Sequence, residues 1–180
     1  MKFNNRQNQC LKTVDGDEIW NSRSVAVVGM ILMQHEGEIY VLIGKRGEAL
    51  PNEVGKYCMP CGFLDYDETC EEAVVREVYE ESGLNLNKLT KNYSVVYDHL
   101  HFPWRIHSEP DNKVQTVSMH YAICLEIEKG MGELPELNLD NNIDPTEVSE
   151  IKWVNINKLN EYDFAFGHDK VIRVFVNSFI

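Results

Sequence analysis

The chain has 180 residues, of which 43% are hydrophobic and 26% charged. That is the length of one domain and too apolar a composition for a disordered chain. Seventeen Lys and Arg against 29 Asp and Glu give a formal charge of −12, which excludes a nucleic-acid or anionic-membrane binder working by bulk charge.

A phosphate-bearing substrate remains open to such a chain if something cationic screens it, and a divalent metal is the first candidate. Met1 to Cys10 is polar, with no apolar stretch of the kind a signal peptide needs. The longest apolar run, Val25 to Met33, is nine residues, about half of a membrane span. A cytoplasmic location without membrane contact is therefore expected. The five cysteines are Cys10, Cys58, Cys61, Cys70 and Cys124; an odd number without an export signal points to free thiols.

In chain order, residues 1–22 are polar and predict an edge hairpin around Asp15-Gly16. Val25–Met33 and Ile39–Ile43 are β-branched runs of strand length, joined by turn residues, and predict a hairpin. Lys45–Cys61 carries Gly47, Pro51, Gly55 and Pro60 and reads as a loop. A helix is expected from Cys70 to Ser82, with Thr69 and Glu72 as a capping box and Gly83 at its end. Tyr93–Phe102 and Val114–Ile127 read as longer strands, with a loop from Phe102 to Asp111. Glu128–Asp144 reads as a loop and Val148–Val154 as a short strand. Leu159–Tyr162 and Lys170–Val176 read as short helices, the latter with strand character over Val171–Val176. Mixed strands and helices along one chain make the class α/β or α+β in layers.

Between Asp65 and Glu81 stand eight carboxylates and a single base, Arg76. At about 100° per residue, Glu77, Glu80 and Glu81 share about 100° of helix surface, while Val74, Val75, Val78 and Tyr79 take the opposite arc. Like charges so placed repel by about 0.2–0.5 kcal/mol per pair. A solvated face is the ordinary reading of such a cluster. A divalent cation reverses the sign, and an all-carboxylate set suits Mg²⁺ or Mn²⁺ better than zinc.

The stretch Gly62 to Leu84, GFLDYDETCEEAVVREVYEESGL, resembles the Nudix box G-x5-E-x7-R-E-U-x-E-E-x-G-U, where U is bulky and aliphatic. Gly62, Glu68, Arg76, Glu77, Val78, Glu80, Glu81, Gly83 and Leu84 all match without a gap. The resemblance implies an α/β/α sandwich with a mixed β-sheet. It implies hydrolysis of nucleoside diphosphates linked to another moiety, with Mg²⁺ or Mn²⁺ as cofactor. It assigns metal binding to Glu77, Glu80, Glu81 and the carbonyl of Cys61. Arg76 would orient these acids, and Glu68 would pair with Arg76 or reach an outer metal. Glu80 is one candidate for activating water; Glu133, Glu136, Glu147 and Glu150 are the others. The entry reads Pro60-Cys61-Gly62 where the family has Pro-Gly-Gly, so the backbone there must tolerate a Cβ.

Arg46 and Arg105 are candidates to grip a second phosphate. Tyr57, Tyr97, Phe102 and Trp104 are candidates to stack on a base, Tyr57 foremost, with core packing the ordinary role for each. Trp20 and Trp153 read as core. Cys58-Met59-Pro60-Cys61 has dithiol spacing, but a redox motif needs a helix to start at once, and none is expected for about eight residues. The resemblance implies ADP-ribose or a nucleotide-sugar-like substrate, with Pro103 standing 19 residues past Leu84 where the ADP-ribose hydrolases of the family place a Pro some 15 after the box. The alternative is a fold of this type that senses a nucleotide without turning it over. The partner expected is thus a small nucleotide, and the first 22 residues could pair an edge strand across a homodimer.

Overall fold

The computed structural model describes residues 9–21, 25–108, 116–128, 132–139 and 146–180. The reading of Trp20 as core lies outside the described residues, as does the expected strand start at Val114. β1 (Gln9–Lys12) and β2 (Glu18–Asn21) form the expected hairpin, a two-stranded sheet of its own turning through Asp15-Gly16. β3 (Val25–His35) and β4 (Glu38–Arg46) form the second hairpin, and each runs longer than expected. Their turn uses Glu36 and Gly37, both at positive φ.

The segment expected as a loop before the box contains two short strands, β5 (Tyr57–Cys58) and β6 (Cys61–Phe63). The reason is a fork in the sheet. β3 pairs with β4 only over Leu32–His35, and its other end, Ala26–Val28, pairs with β6. Gly44 and Lys45 of β4 pair with β5 instead. Inside the fork, the Gly29 N–H donates to the Pro60 carbonyl at 2.8 Å. Cys61 takes ordinary strand geometry opposite Val28, so its Cβ is accommodated.

α1 (Cys70–Ser82) has the expected bounds, with both halves of the Thr69/Glu72 capping box formed and Gly83 left-handed at the C-cap. α2 (Leu86–Asn92), capped by Asn85, was not expected. β7 (Ser94–His99) is followed by β8 (Arg105–Ser108), which occupies the predicted Phe102–Asp111 loop. β9 (Val117–Glu126) and β10 (Val148–Asn155) follow, then a 3₁₀ helix (Ile156–Glu161) and α3 (His168–Phe179). α3 extends beyond the Lys170–Val176 helix expected, and Val171–Val176 is helical.

The main sheet runs β10-β4-β3-β9-β7, with β5, β6 and β8 added at β4, β3 and β9. β3 and β9 are parallel; the other pairs are antiparallel, so the sheet is mixed. Alternation along β3 divides the core. Val27, Ile31 and Met33 pack with Val74 and Val78 of α1 and Leu86 and Leu89 of α2. Val28, Met30 and Leu32 pack with Ile172 and Phe175 of α3. Burial on both faces is why β3 reads as a continuous apolar run rather than an alternating one. The expected α/β/α sandwich is formed. Trp153 packs at the edge of the first core cluster, as read from the sequence, and its Nε1–H donates to the Pro135 carbonyl. No described helix is long and apolar enough to cross a membrane.

Gly29 lets α1 approach. A Cβ there would lie 2.8 Å from Cγ2 of Val78 and 3.1 Å from Cγ2 of Val74. The acidic helix is thereby seated directly on the forked strand.

Candidate active site

Arg76 organises the acidic face. It is buried, and its guanidinium donates to both oxygens of Glu68, at 3.0 Å from Nε and 2.7 Å from Nη2. Nη1 donates to Glu77 Oε1 at 2.7 Å and to Glu80 Oε2 at 3.0 Å; Nη2 also reaches the Phe63 carbonyl at 3.1 Å. Burial opposes the charge, but Glu68 and Glu77 hold its pKa above the usual guanidinium range. Glu68 is itself fixed by the Asp65 N–H at 2.7 Å. The expected pairing of Glu68 with Arg76 is thus formed, and Arg76 orients two of the three box glutamates.

Glu77 lies against the Gly62 backbone; a Cβ at Gly62 would fall 2.1 Å from its Oε1. Burial pushes the Glu77 carboxyl up to about 7, against the pull of Arg76. Glu81 stands apart from the Arg76 network. Burial pushes its carboxyl well above the ordinary range, with Cys58 and Glu77 adding to the effect, while a backbone hydrogen bond from Cys61 and the charge of Arg46 oppose it. Its Oε2 is buried without a hydrogen-bond partner. Among the described residues, no three His, Cys, Asp or Glu side chains already converge as a metal site. The donors nonetheless fit a hard cation. Glu77 and Glu81 are carboxylates whose charged forms burial disfavours, Glu77 even beside Arg76, and Glu81 has an orphaned oxygen beside Cys61. Desolvated anions of this kind are stabilised by a metal or a proton, and oxygen donors select Mg²⁺ or Mn²⁺.

A cavity of about 660 Å³ opens on the other side of Cys61, Gly62 and Phe63. The α3 end and strands β3, β8 and β9 form its walls. Arg46 and Arg105 both line it, as does Lys170, which sequence reading did not single out. No Asp or Glu is among the described lining residues. Arg46 is braced: Nε and Nη2 donate to the Asn52 carbonyl at 3.1 and 3.0 Å, and its guanidinium lies 4.8 Å from the Phe166 ring centroid. Phe166 has φ +57°, an uncommon and strained state for an aromatic residue that clusters at functional sites.

Tyr57 does not line this cavity. Its place in β5 turns it toward the 3₁₀ helix, where its hydroxyl donates to Glu150 Oε2 at 2.7 Å and its ring meets Tyr162 edge-on. Tyr97 and Trp104 pack on Phe175 and Phe179, and Phe102 is exposed away from the cavity. The exposed ring lining the cavity is Phe166, which no pattern in the sequence marks out. Of the other water-activating candidates, Glu133, Glu136 and Glu147 are exposed, and Glu150 is engaged by Tyr57 and Lys152. The Cys58 and Cys61 thiols act on each other, Cys61 lowering Cys58 and Cys58 raising Cys61, yet they sit in β5 and β6 rather than at a helix start.

Residues 23–175 match the model of the NUDIX domain. The chain belongs to the Nudix family. A Nudix chain of this kind is a hydrolase of pyrophosphate bonds. It is 28% identical over 159 residues to the RNA pyrophosphohydrolase of Bartonella tribocorum, covering 82% of this chain and 85% of that one. Over 67 residues it is 40% identical to the NAD-capped RNA hydrolase of Schizosaccharomyces pombe, a match spanning 37% of this chain and only 17% of the relative. Its fold is similar to that of the bifunctional NMN adenylyltransferase/ADP ribose pyrophosphatase of Francisella tularensis, complexed with AMP and a manganese ion. That likeness has a TM-score of 0.60 at 22% identity, covering 85% of this chain and 41% of that one. Nudix enzymes in general use divalent metals.

Proposed function

We propose that this Nudix enzyme hydrolyses the diphosphate linkage of a nucleoside diphosphate joined to another moiety, with ADP-ribose-like or nucleotide-sugar-like compounds as substrates. The observation that carries this reading is a cationic, partly aromatic cavity meeting a buried carboxylate face at one short strand, β6. The manganese and AMP in the Francisella structure, and the pyrophosphohydrolase name of the Bartonella relative, support it.

In this reading Glu77, Glu80, Glu81 and the Cys61 carbonyl hold Mg²⁺ or Mn²⁺. The metal, when bound, would neutralise the diphosphate and lower the pKa of an attacking water. Arg76 keeps Glu77 and Glu80 in place through its shared Nη1, and Glu68 holds Arg76 by both oxygens. Arg46 and Arg105 hold the substrate from the cavity side, and their charge-assisted hydrogen bonds to its non-scissile part keep the diphosphate in register. Phe166 offers a ring face for the nucleobase. Glu80, the most accessible member of the Arg76 network, is the base that takes the proton from water.

Phosphate release from a phosphatase-coupled panel of diphosphate-linked nucleotides, with and without Mg²⁺, tests the reading. Turnover is expected only with metal. Glu81→Gln is expected to lower it by more than about a hundredfold, exceeding the usual cost of losing an outer partner of a ligand. The same variant should lose the Mn²⁺-induced rise in Tm. Tight nucleotide binding without turnover by the parent chain would select the sensor alternative instead.

A further inference from the structure

We infer that the cavity holds a second anion subsite, made by Arg46, Arg105, Lys170 and His168, so that the preferred substrates carry a phosphate beyond the scissile diphosphate. This rests on the diphosphate-hydrolase reading for its substrate consequence, though not for the subsite itself.

Charge segregation is the first observation. In a chain of net charge −12, a cavity whose described lining has three fixed cations and no carboxylate is a marked local reversal. One diphosphate neutralised by a metal on the Glu77–Glu81 side does not need all three. Low-dielectric walls strengthen the field they make, and Val28, Leu50, Phe63, Val171 and Val174 supply such walls.

His168 supplies the second observation. It is buried, lines the cavity and accepts the Met59 N–H at Nδ1, 3.1 Å away. With Nδ1 acting as acceptor, a neutral ring must carry its proton on Nε2. Burial, His120, Arg46 and Arg105 keep that ring neutral, with its pKa lowered to about 3. Both arginines are thus close enough to His168 for their charges to act on it. An oxyanion between them would meet two guanidinium groups and an N–H that cannot reverse into an acceptor.

The third is the start of α3. Gly167 provides no side-chain cap, and Gly167, His168, Lys170 and Val171 all face the cavity. The first-turn N–H groups therefore add to the cations; Asp169, the acid of that turn, offsets part of the effect but does not line the cavity.

These groups donate hydrogen bonds, and the arginines and lysine cannot accept them. A phosphate monoester satisfies several donors at once, whereas a neutral sugar would leave cations unmatched. Lys170 becomes a substrate-binding residue in this assignment, and His168 a specificity-determining one.

Two independent measurements decide the matter. In EDTA, inorganic tripolyphosphate and pyrophosphate are titrated into the protein by calorimetry, so that no metal is involved. Saturable binding is expected, weakened at least about tenfold by combined Arg105→Gln and Lys170→Gln, and its salt dependence should flatten. Lys170→Glu, at an exposed site, serves as a second variant whose fold is checked by circular dichroism. No binding by the parent, or equal binding by folded variants, overturns the subsite. With Mg²⁺, NADP⁺ against NAD⁺ and ATP against ADP form pairs differing by one phosphate. A kcat/KM at least about tenfold higher for a phosphorylated member is expected; equal values within both pairs overturn the substrate assignment. Anion binding in EDTA with no turnover of any diphosphate would instead defeat the hydrolase reading and leave the subsite standing.

Discussion

Arg76 is the residue on which the acidic face depends. Four of its five hydrogen bonds go to carboxylates, so it converts a repelling set into an ordered one. Gly62 matters for a complementary reason: it leaves room for the Glu77 carboxylate. Gly62→Ala would place a methyl 2.1 Å from Oε1 and 2.4 Å from Cδ of Glu77, forcing that side chain off its seat. Metal affinity and turnover are expected to fall by about 10- to 100-fold, the scale seen when a ligand loses its support. Mn²⁺ titration followed by electron paramagnetic resonance measures the loss; unchanged affinity would remove Glu77 from the metal set. The glutamates, Arg76 and Gly62 were legible in the sequence because they sit within 23 residues. Phe166, Lys170 and His168 were not. They meet Arg46 and Arg105 only through the packing of α3 on the sheet, and a linear text carries no signal of that approach.

Among the elements, α1 was the most legible. Thr69 and Glu72 mark its start with a reciprocal hydrogen-bond pair, and Gly83 marks its end by taking φ +73°. Thr69→Ala is expected to cost about 1 kcal/mol in urea unfolding, the usual value of an N-cap. Gly83→Ala should cost more, because the left-handed backbone is strained for alanine and its Cβ would lie 2.6 Å from the Asn138 carbonyl oxygen. If the two variants were equally stable, the close approach of Asn138 would carry no weight. β5 and β6 escaped sequence reading because two- and three-residue strands among glycines and prolines have no period to detect. Their hydrogen bonds come from β4 and β3, which part company and leave partners vacant. β8 is a similar case, a four-residue polar strand defined by its pairing with β9. α2, a single seven-residue piece, is held by Leu86 and Leu89 in the α1-side core rather than by its own propensity.

For the whole molecule, two buried histidines on the α3 side tie stability to pH. Burial, with their charged neighbours, lowers His168 to about 3 and His120 to about 4, against 6.5 in an unfolded chain. Their folded pKa is depressed, and the form disfavoured in the fold is the protonated one. The unfolded chain therefore takes up more protons below pH 6.5, and stability falls as pH drops from there toward 4. Each histidine contributes a slope of about 1.4 kcal/mol per pH unit in that window. Urea unfolding at pH 7 and pH 5 should show His168→Gln losing less stability on acidification than the parent chain. A parallel fall in both would place His168 outside the linkage. The layered class was legible from the mixed strand and helix text, and the sandwich only from the resemblance of Gly62–Leu84 to the Nudix box. The division of its core into two faces was not, because β3 is apolar throughout and only its partners reveal which residues point where.

The bond from Gly29 to Pro60 makes the approach to the carboxylates a rung of the main sheet, and His168 braces the same segment from behind through Met59. A stretch stapled on two sides cannot swing like a door. The opposite bank is built differently: Leu50, Pro51 and Asn52 border the cavity from a bend outside any strand. Arg46 ties that bank to the site by clasping the Asn52 carbonyl and leaning on Phe166, so an anion arriving there competes with Asn52 for the same guanidinium donors.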